Sequence, residues 1–121
     1  MTSDWRDLSE RERLVLDRLL TKNFSGRDEL VLPLQSAMVR SIDDEGSLKI
    51  RTSGPRAPIR RNVPVEGRYF DTETADGFDP AINLLLHAID GMLDELEGYK
   101  DDGSEIRIGA FEIDPARIEV Y

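Results

Sequence analysis

The chain has 121 residues, 39% of them hydrophobic, with 16 Lys and Arg against 25 Asp and Glu and a net charge of −9. That length suits one domain with a core of its own. No apolar run approaches the roughly 18 residues of a membrane helix, Asp4, Arg6 and Asp7 interrupt any signal-peptide core, and the absence of cysteine excludes disulfides, thiolate metal sites and cysteine nucleophiles. A cytoplasmic location is expected.

Ser9-Glu10-Arg11-Glu12 reads as a capping box that opens a helix. Val15, Leu16, Leu19 and Leu20 follow at helical spacing, predicting an amphipathic helix that ends near Asn23. Phe24-Ser25-Gly26 is a turn, and Arg27 to Leu32 forms a second, short helix stopped by Pro33. The two helices read as a helical hairpin over residues 1–35.

From Ala37 the period becomes two. Met38 to Ile42 and Ser47 to Thr52 predict a hairpin across an Asp43-Asp44-Glu45-Gly46 turn. Ser53 to Arg61 carries Pro55, Pro58 and three arginines and reads as an exposed loop. Val63 to Phe70 is the next strand, with Pro64 at its start pushing it toward an edge, followed by a polar connection from Asp71 to Pro80.

Ile82 to Lys100 organises the rest. Asp90-Gly91 suits a two-residue type I′ turn, because both positions tolerate positive φ. Counting outward sets Ile89 against Met92, His87 against Asp94 and Leu85 against Leu96 on one face. On the other face Ala88 meets Leu93, Leu86 meets Glu95, Leu84 meets Glu97 and Ile82 meets Tyr99. The first strand, apolar on both faces, should lie in the middle of the sheet with cover on both sides, and the acid-bearing second nearer the rim. A short strand at Glu105 to Ile108 and a turn at Asp114-Pro115 before Ile118 to Tyr121 complete an α+β domain. Its expected architecture is the helical hairpin packed on an antiparallel sheet of five or six strands, built from residues 36–121.

Charge is lopsided. Residues 1–61 hold 12 bases and 10 acids, whereas residues 62–121 hold 4 bases and 15 acids. An anionic half disfavours nucleic acid and anionic membranes and steers toward basic partners.

Phe24 to Leu30 (FSGRDEL), Asp43 to Leu48 (DDEGSL), Val63 to Glu66 (VPVE), Leu85-Leu86-His87 with Asp90-Gly91, and Glu95-Leu96-Glu97 with Tyr99 together resemble a family of small uncharacterised bacterial proteins of about this length. The resemblance spans nearly the whole chain and implies no established activity. Some similar sequences carry cysteines where this chain has Ser41 to Ser47, which counts against a metal role here.

The chemistry-bearing candidates are few. His87 is the sole histidine, and a partner at Asp94 would orient its imidazole, leaving a distant hydroxyl such as Ser47 to supply a nucleophile. Glu95 and Glu97, two apart on a strand, project from one face at roughly 6 to 7 Å and could share a cation or divide acid and base roles, with Glu66 joining them. The ordinary alternative is a solvated sheet face. Asp71 to Gly77 misplaces the last acid and the glycine of a calcium loop by one residue. Arg51, Arg56, Arg60 and Arg61 form a basic patch without interleaved aromatics.

These spacings assign no catalytic set, metal ligands or cofactor. The leading expectation is a non-enzymatic acidic protein of immunity or inhibitor type, engaging a basic partner through Asp94, Glu95, Glu97, Asp101 and Asp102. The alternative is a small hydrolase or metal-dependent enzyme using His87, Glu95 and Glu97, and a structural homodimer is a third class.

Overall fold

The computed structural model describes residues 4–43, 47–59, 61–71 and 80–121. The 43–46 turn, the calcium-loop likeness at 71–77 and Arg60 fall wholly or mainly outside them. The fold is α+β: two short helices and one antiparallel sheet of seven strands. The strands are β1 (Arg6–Asp7), β2 (Met38–Ser41), β3 (Leu48–Arg51), β4 (Val65–Tyr69), β5 (Ile82–Ile89), β6 (Met92–Lys100) and β7 (Glu119–Val120). Their spatial order is β1-β2-β3-β6-β5-β4-β7. The count exceeds five or six because each edge is closed by a two-residue strand, β1 and β7, too short to show a period-two pattern.

Helix α1 spans Glu10–Leu19 and opens on the expected capping box: Glu12 N–H donates to Ser9 Oγ at 3.2 Å, and Glu12 Oε1 accepts from Ser9 N–H at 2.8 Å. Glu12 has a second task. Its carboxylate takes both guanidinium nitrogens of Arg6, at 2.6 and 2.7 Å, tying β1 to the helix start. Burial pushes the Glu12 carboxyl up, but Arg6 and the Ser9 N–H outweigh it, and the net shift is downward. Helix α2 spans Arg27–Val31 and starts on Gly26 at φ 90°. Pro33 does not end the winding there. It sits in the first turn of a 3₁₀ segment, Leu32–Ser36, where a missing N–H costs no bond.

The core fills one side of the sheet. Val15, Leu16, Leu19, Leu30 and Leu34 pack with Val39, Leu48, Ile50, Val65, Ile82, Leu84, Leu86, Leu93 and Leu96. Gly67 lets α1 approach β4, since a Cβ there would stand 2.6 Å from Leu19 Cδ2. Strand β6, not β5, lies at the centre of the sheet, and only one face of β5 is covered: Ile82, Leu84, Leu86 and Ala88 are buried while Asn83, Leu85 and His87 are partly exposed. No described helix is long and apolar enough to cross a membrane.

One connection is anchored more firmly than a free loop, and another differs from expectation. The proline-bearing stretch after β3 is irregular and mostly exposed, as expected, but it is tied to the sheet. Ala57 is buried, its N–H donates to Gly91 O at 2.8 Å, and Asn62 O accepts from Ala88 N–H at 2.7 Å, so the segment lies across the β5–β6 turn. Glu105 to Ile108 is not a strand, because its backbone groups find side-chain partners instead of a neighbour. Arg107 N–H donates to Asp71 Oδ2, and Ile108 O accepts from the Tyr69 hydroxyl at 2.8 Å. Burial, then the nearby charges of Asp71 and Glu112, hold the Tyr69 phenol well above the ordinary tyrosine range.

Asp71 also faces Lys100 Nζ at 3.1 Å, with 0% and 5% of the two side chains exposed. This contact is an ion pair without hydrogen-bond alignment. Burial pushes the Asp71 carboxyl up, but the Arg107 N–H and Lys100 pull it further down, leaving a net lowering.

Asp71→Asn should therefore lose about 3 kcal/mol of unfolding free energy at neutral pH by stranding buried Lys100, measured by urea denaturation. Because the folded carboxyl titrates below the unfolded value of about 3.9, its contribution is complete above that pH and disappears as pH falls through the lower folded pKa. The gap between wild type and variant should close in acid. Gly91 and Gly103 both have positive φ, at 79° and 74°, but a Cβ at Gly91 would lie 2.5 Å from Ala57 O while Gly103 faces open space. Gly103→Ala should cost about 1 kcal/mol, and Gly91→Ala should cost at least about 1 kcal/mol more, since backbone must move.

Candidate functional site

The candidate site is set by a β-bulge. The β5–β6 ladder runs Ile89↔Met92 and Ala88↔Leu93 from the turn, as counted, with Asp90 at φ 50° and Gly91 at φ 79°. Between Ala88 and His87 the register then slips by one. His87 stands opposite Glu95, Leu86 opposite Leu96, Leu85 opposite Glu97, Leu84 opposite Gly98, Asn83 opposite Tyr99 and Ile82 opposite Lys100. Asp94 is the extra residue. The expected pairs His87–Asp94, Leu86–Glu95, Leu85–Leu96, Leu84–Glu97 and Ile82–Tyr99 are thereby replaced, because an unbroken count would set two carboxylates against buried leucines. With the bulge, Leu93, Leu96 and Gly98 face the core while Asp94, Glu95 and Glu97 face outward.

Outward-facing side chains meet across the strands. His87 Nε2 and Glu97 Oε1 lie 3.0 Å apart, a diagonal contact on neighbouring strands. One donor atom from each of His87, Glu95 and Glu97 falls within 4.8 Å of the others. All three line an open depression of about 340 Å³ together with Asn62, Ala88, Ile89 and Asp94. Lys49, projecting from β3, sits 3.0 Å from Asp94 Oδ2 and 3.8 Å from Glu95 Oε1. The imidazole partner is thus Glu97, and Asp94 is held by a lysine.

Other candidates are placed elsewhere. Ser47 is buried and its Oγ accepts the Gly98 N–H at 3.0 Å, on the core side of β6, so it is no nucleophile for His87. Glu66 pairs with Leu85 in the ladder, and Leu85 in turn pairs with Glu97, so Glu66 lies on the same face two strands from Glu97 and outside the three-residue cluster. Asp101 accepts from Asn83 Nδ2 at 2.9 Å, and Asp102 accepts from Ser104 N–H and Oγ.

The basic patch divides. Arg51 stacks on the Trp5 ring at 4.4 Å, with Arg40 at 5.2 Å. Arg61 instead joins Lys22, Phe24, Ser25, Ile59 and Pro64 around a separate pocket of about 260 Å³. Nothing in the spacing around Lys22 or Trp5 gave a hint of either grouping, since both depend on segments far apart in the chain.

With this geometry in hand, the chain belongs to the family described as Domain of unknown function (DUF6984), whose model matches residues 5–109. No curated protein and no solved structure matches it.

The bulge carries a direct test. Deleting Asp94 should leave every inward residue inward and cost only the Lys49 pair, about 1 kcal/mol or less in urea denaturation. Deleting Glu97 should turn the rest of β6 over and abolish cooperative unfolding.

Proposed function

We propose that this is a non-enzymatic binding protein that docks a basic protein partner on the outer face of its sheet, in the manner of an immunity or inhibitor protein. One observation carries the reading: among the described residues, that face is left open by the helices, and its middle strand presents Asp94, Glu95 and Glu97, with Asp101 and Asp102 at its end. Lys49, Arg40 and Arg51 stand on the β2–β3 side of the same face, so its charge is polarised across the sheet. A polarised, mostly rigid face steers and orients an oppositely polarised partner more than it adds raw affinity. The very short edge strands leave little edge for strand addition, which favours docking on the face.

The enzymatic reading keeps one specific support, the gathering of His87, Glu95 and Glu97 at an open depression. Among the described residues, no serine or threonine lines it. A homodimer through the same face would unite acidic centre with acidic centre unless the two copies were offset.

Affinity capture from the native host at low salt should recover a basic protein that high salt releases. The double variant Glu95→Lys, Asp102→Lys should lower its recovery at least about tenfold, while Glu29→Lys on the exposed side of α2 should not. Recovery of no partner at low salt, or equal recovery by the double variant, discards the reading.

A further inference from the structure

We propose that His87, Glu95 and Glu97 form a binding site for one divalent first-row transition metal ion, with Zn²⁺ the ion best suited to the donor set. The bulge makes the site possible, because it places His87 directly opposite Glu95 on paired strands and puts Glu97, two residues along the same strand as Glu95, diagonal to His87. In a tetrahedral site with bonds of about 2.0 to 2.2 Å, neighbouring donors stand about 3.3 Å apart. His87 Nε2 and Glu97 Oε1 are already at 3.0 Å, and all three donors lie within 4.8 Å. Glu95 closes the set by a side-chain movement of about 1 to 2 Å, within reach of an ordinary rotamer change.

The donor chemistry selects the class of ion. One imidazole nitrogen with two carboxylates suits Zn²⁺ and its neighbours, whereas Ca²⁺ and Mg²⁺ require shells of oxygen ligands. Two carboxylates balance the dication. The ladder fixes the backbone spacing, so little ordering is needed on binding. Lys49 Nζ, 3.8 Å from Glu95, is the cation with which the metal would compete, and its stronger contact at 3.0 Å is with Asp94, which leaves Glu95 the freer of the two. The site opens to the depression, so remaining positions are available to water or to a donor from a partner.

The inference does not rest on the basic-partner reading. Metal is titrated into the isolated protein, so failure to find a partner and failure to bind metal are separate results. The full chain, freed of metal by chelation, is titrated with ZnCl₂ by calorimetry and followed by thermal denaturation. One ion per chain is expected, with a rise in melting temperature through linkage, and Co²⁺ should give visible absorption bands of a low-coordinate site. His87→Ala and Glu97→Gln should each weaken Zn²⁺ binding at least about tenfold. Lys49→Met retains all three donors and removes the competing charge, and should bind several-fold more tightly. Absence of binding in either the wild type or Lys49→Met, or binding unchanged in His87→Ala, overturns the proposal.

Discussion

The β5–β6 hairpin has to satisfy two demands that conflict in a regular ladder. Its turn at Asp90-Gly91 fixes Ile89 against Met92, and its inward face needs apolar partners for Leu84 and Leu86. An unbroken count from the turn supplies Glu97 and Glu95 instead. Carboxylates buried without partners cost several kcal/mol each, whereas a bulge disturbs the ladder locally, at about 1 kcal/mol per hydrogen bond lost. The cheaper distortion prevails. Asp94 becomes the extra residue, and all of β6 beyond it is re-aimed: Leu96 and Gly98 turn inward and the two glutamates turn out toward His87.

Around this hairpin the remaining chain is fastened by polar contacts where sheet pairing stops. Lys100, at the inward end of β6, meets Asp71, and Asp71 also holds Arg107 N–H. Tyr69 holds Ile108 O. These contacts let residues 105–108 close over the core without extending the sheet, and Ile106, Ala110, Ile113 and Ile118 add their apolar surface to it. At the opposite end, Ala57 closes on the Gly91 turn. The turn glycine therefore serves both backbone conformation and close packing.

The two faces of the sheet divide the work of the molecule. The covered face is apolar and carries stability. Across its strands the open face runs from Trp5 with its stacked arginines on one side to the acids of β6 and Glu119 on the other, where Arg68 is the paired base. Exposed side chains there contribute little to stability as pairs, which leaves their arrangement free to serve recognition. Membership of the DUF6984 family fixes the kinship of the chain.

Local signals were legible where a few neighbouring residues decide the outcome. Ser9 and Glu12 announced α1, Asp90-Gly91 announced the hairpin and its first two pairs, and Asp114-Pro115 announced the turn before the last strand, because caps and tight turns are settled by contacts within four residues. Two-residue β1 and β7 carry no pattern of their own and exist because a longer neighbour recruits them. The candidate residues were likewise readable, since a lone histidine and an E-x-E pair stand out in any sequence. Which of them touch was not. His87 took Glu97 over Asp94 because the demand of the core for Leu96 opposite Leu86 acts on the whole ladder at once, and such a demand exists only when helices and distant strands have closed one face of the sheet. Turn, capping box and candidate side chains are written in short stretches of chain, while the register that brings them together follows from burial of one face of the sheet.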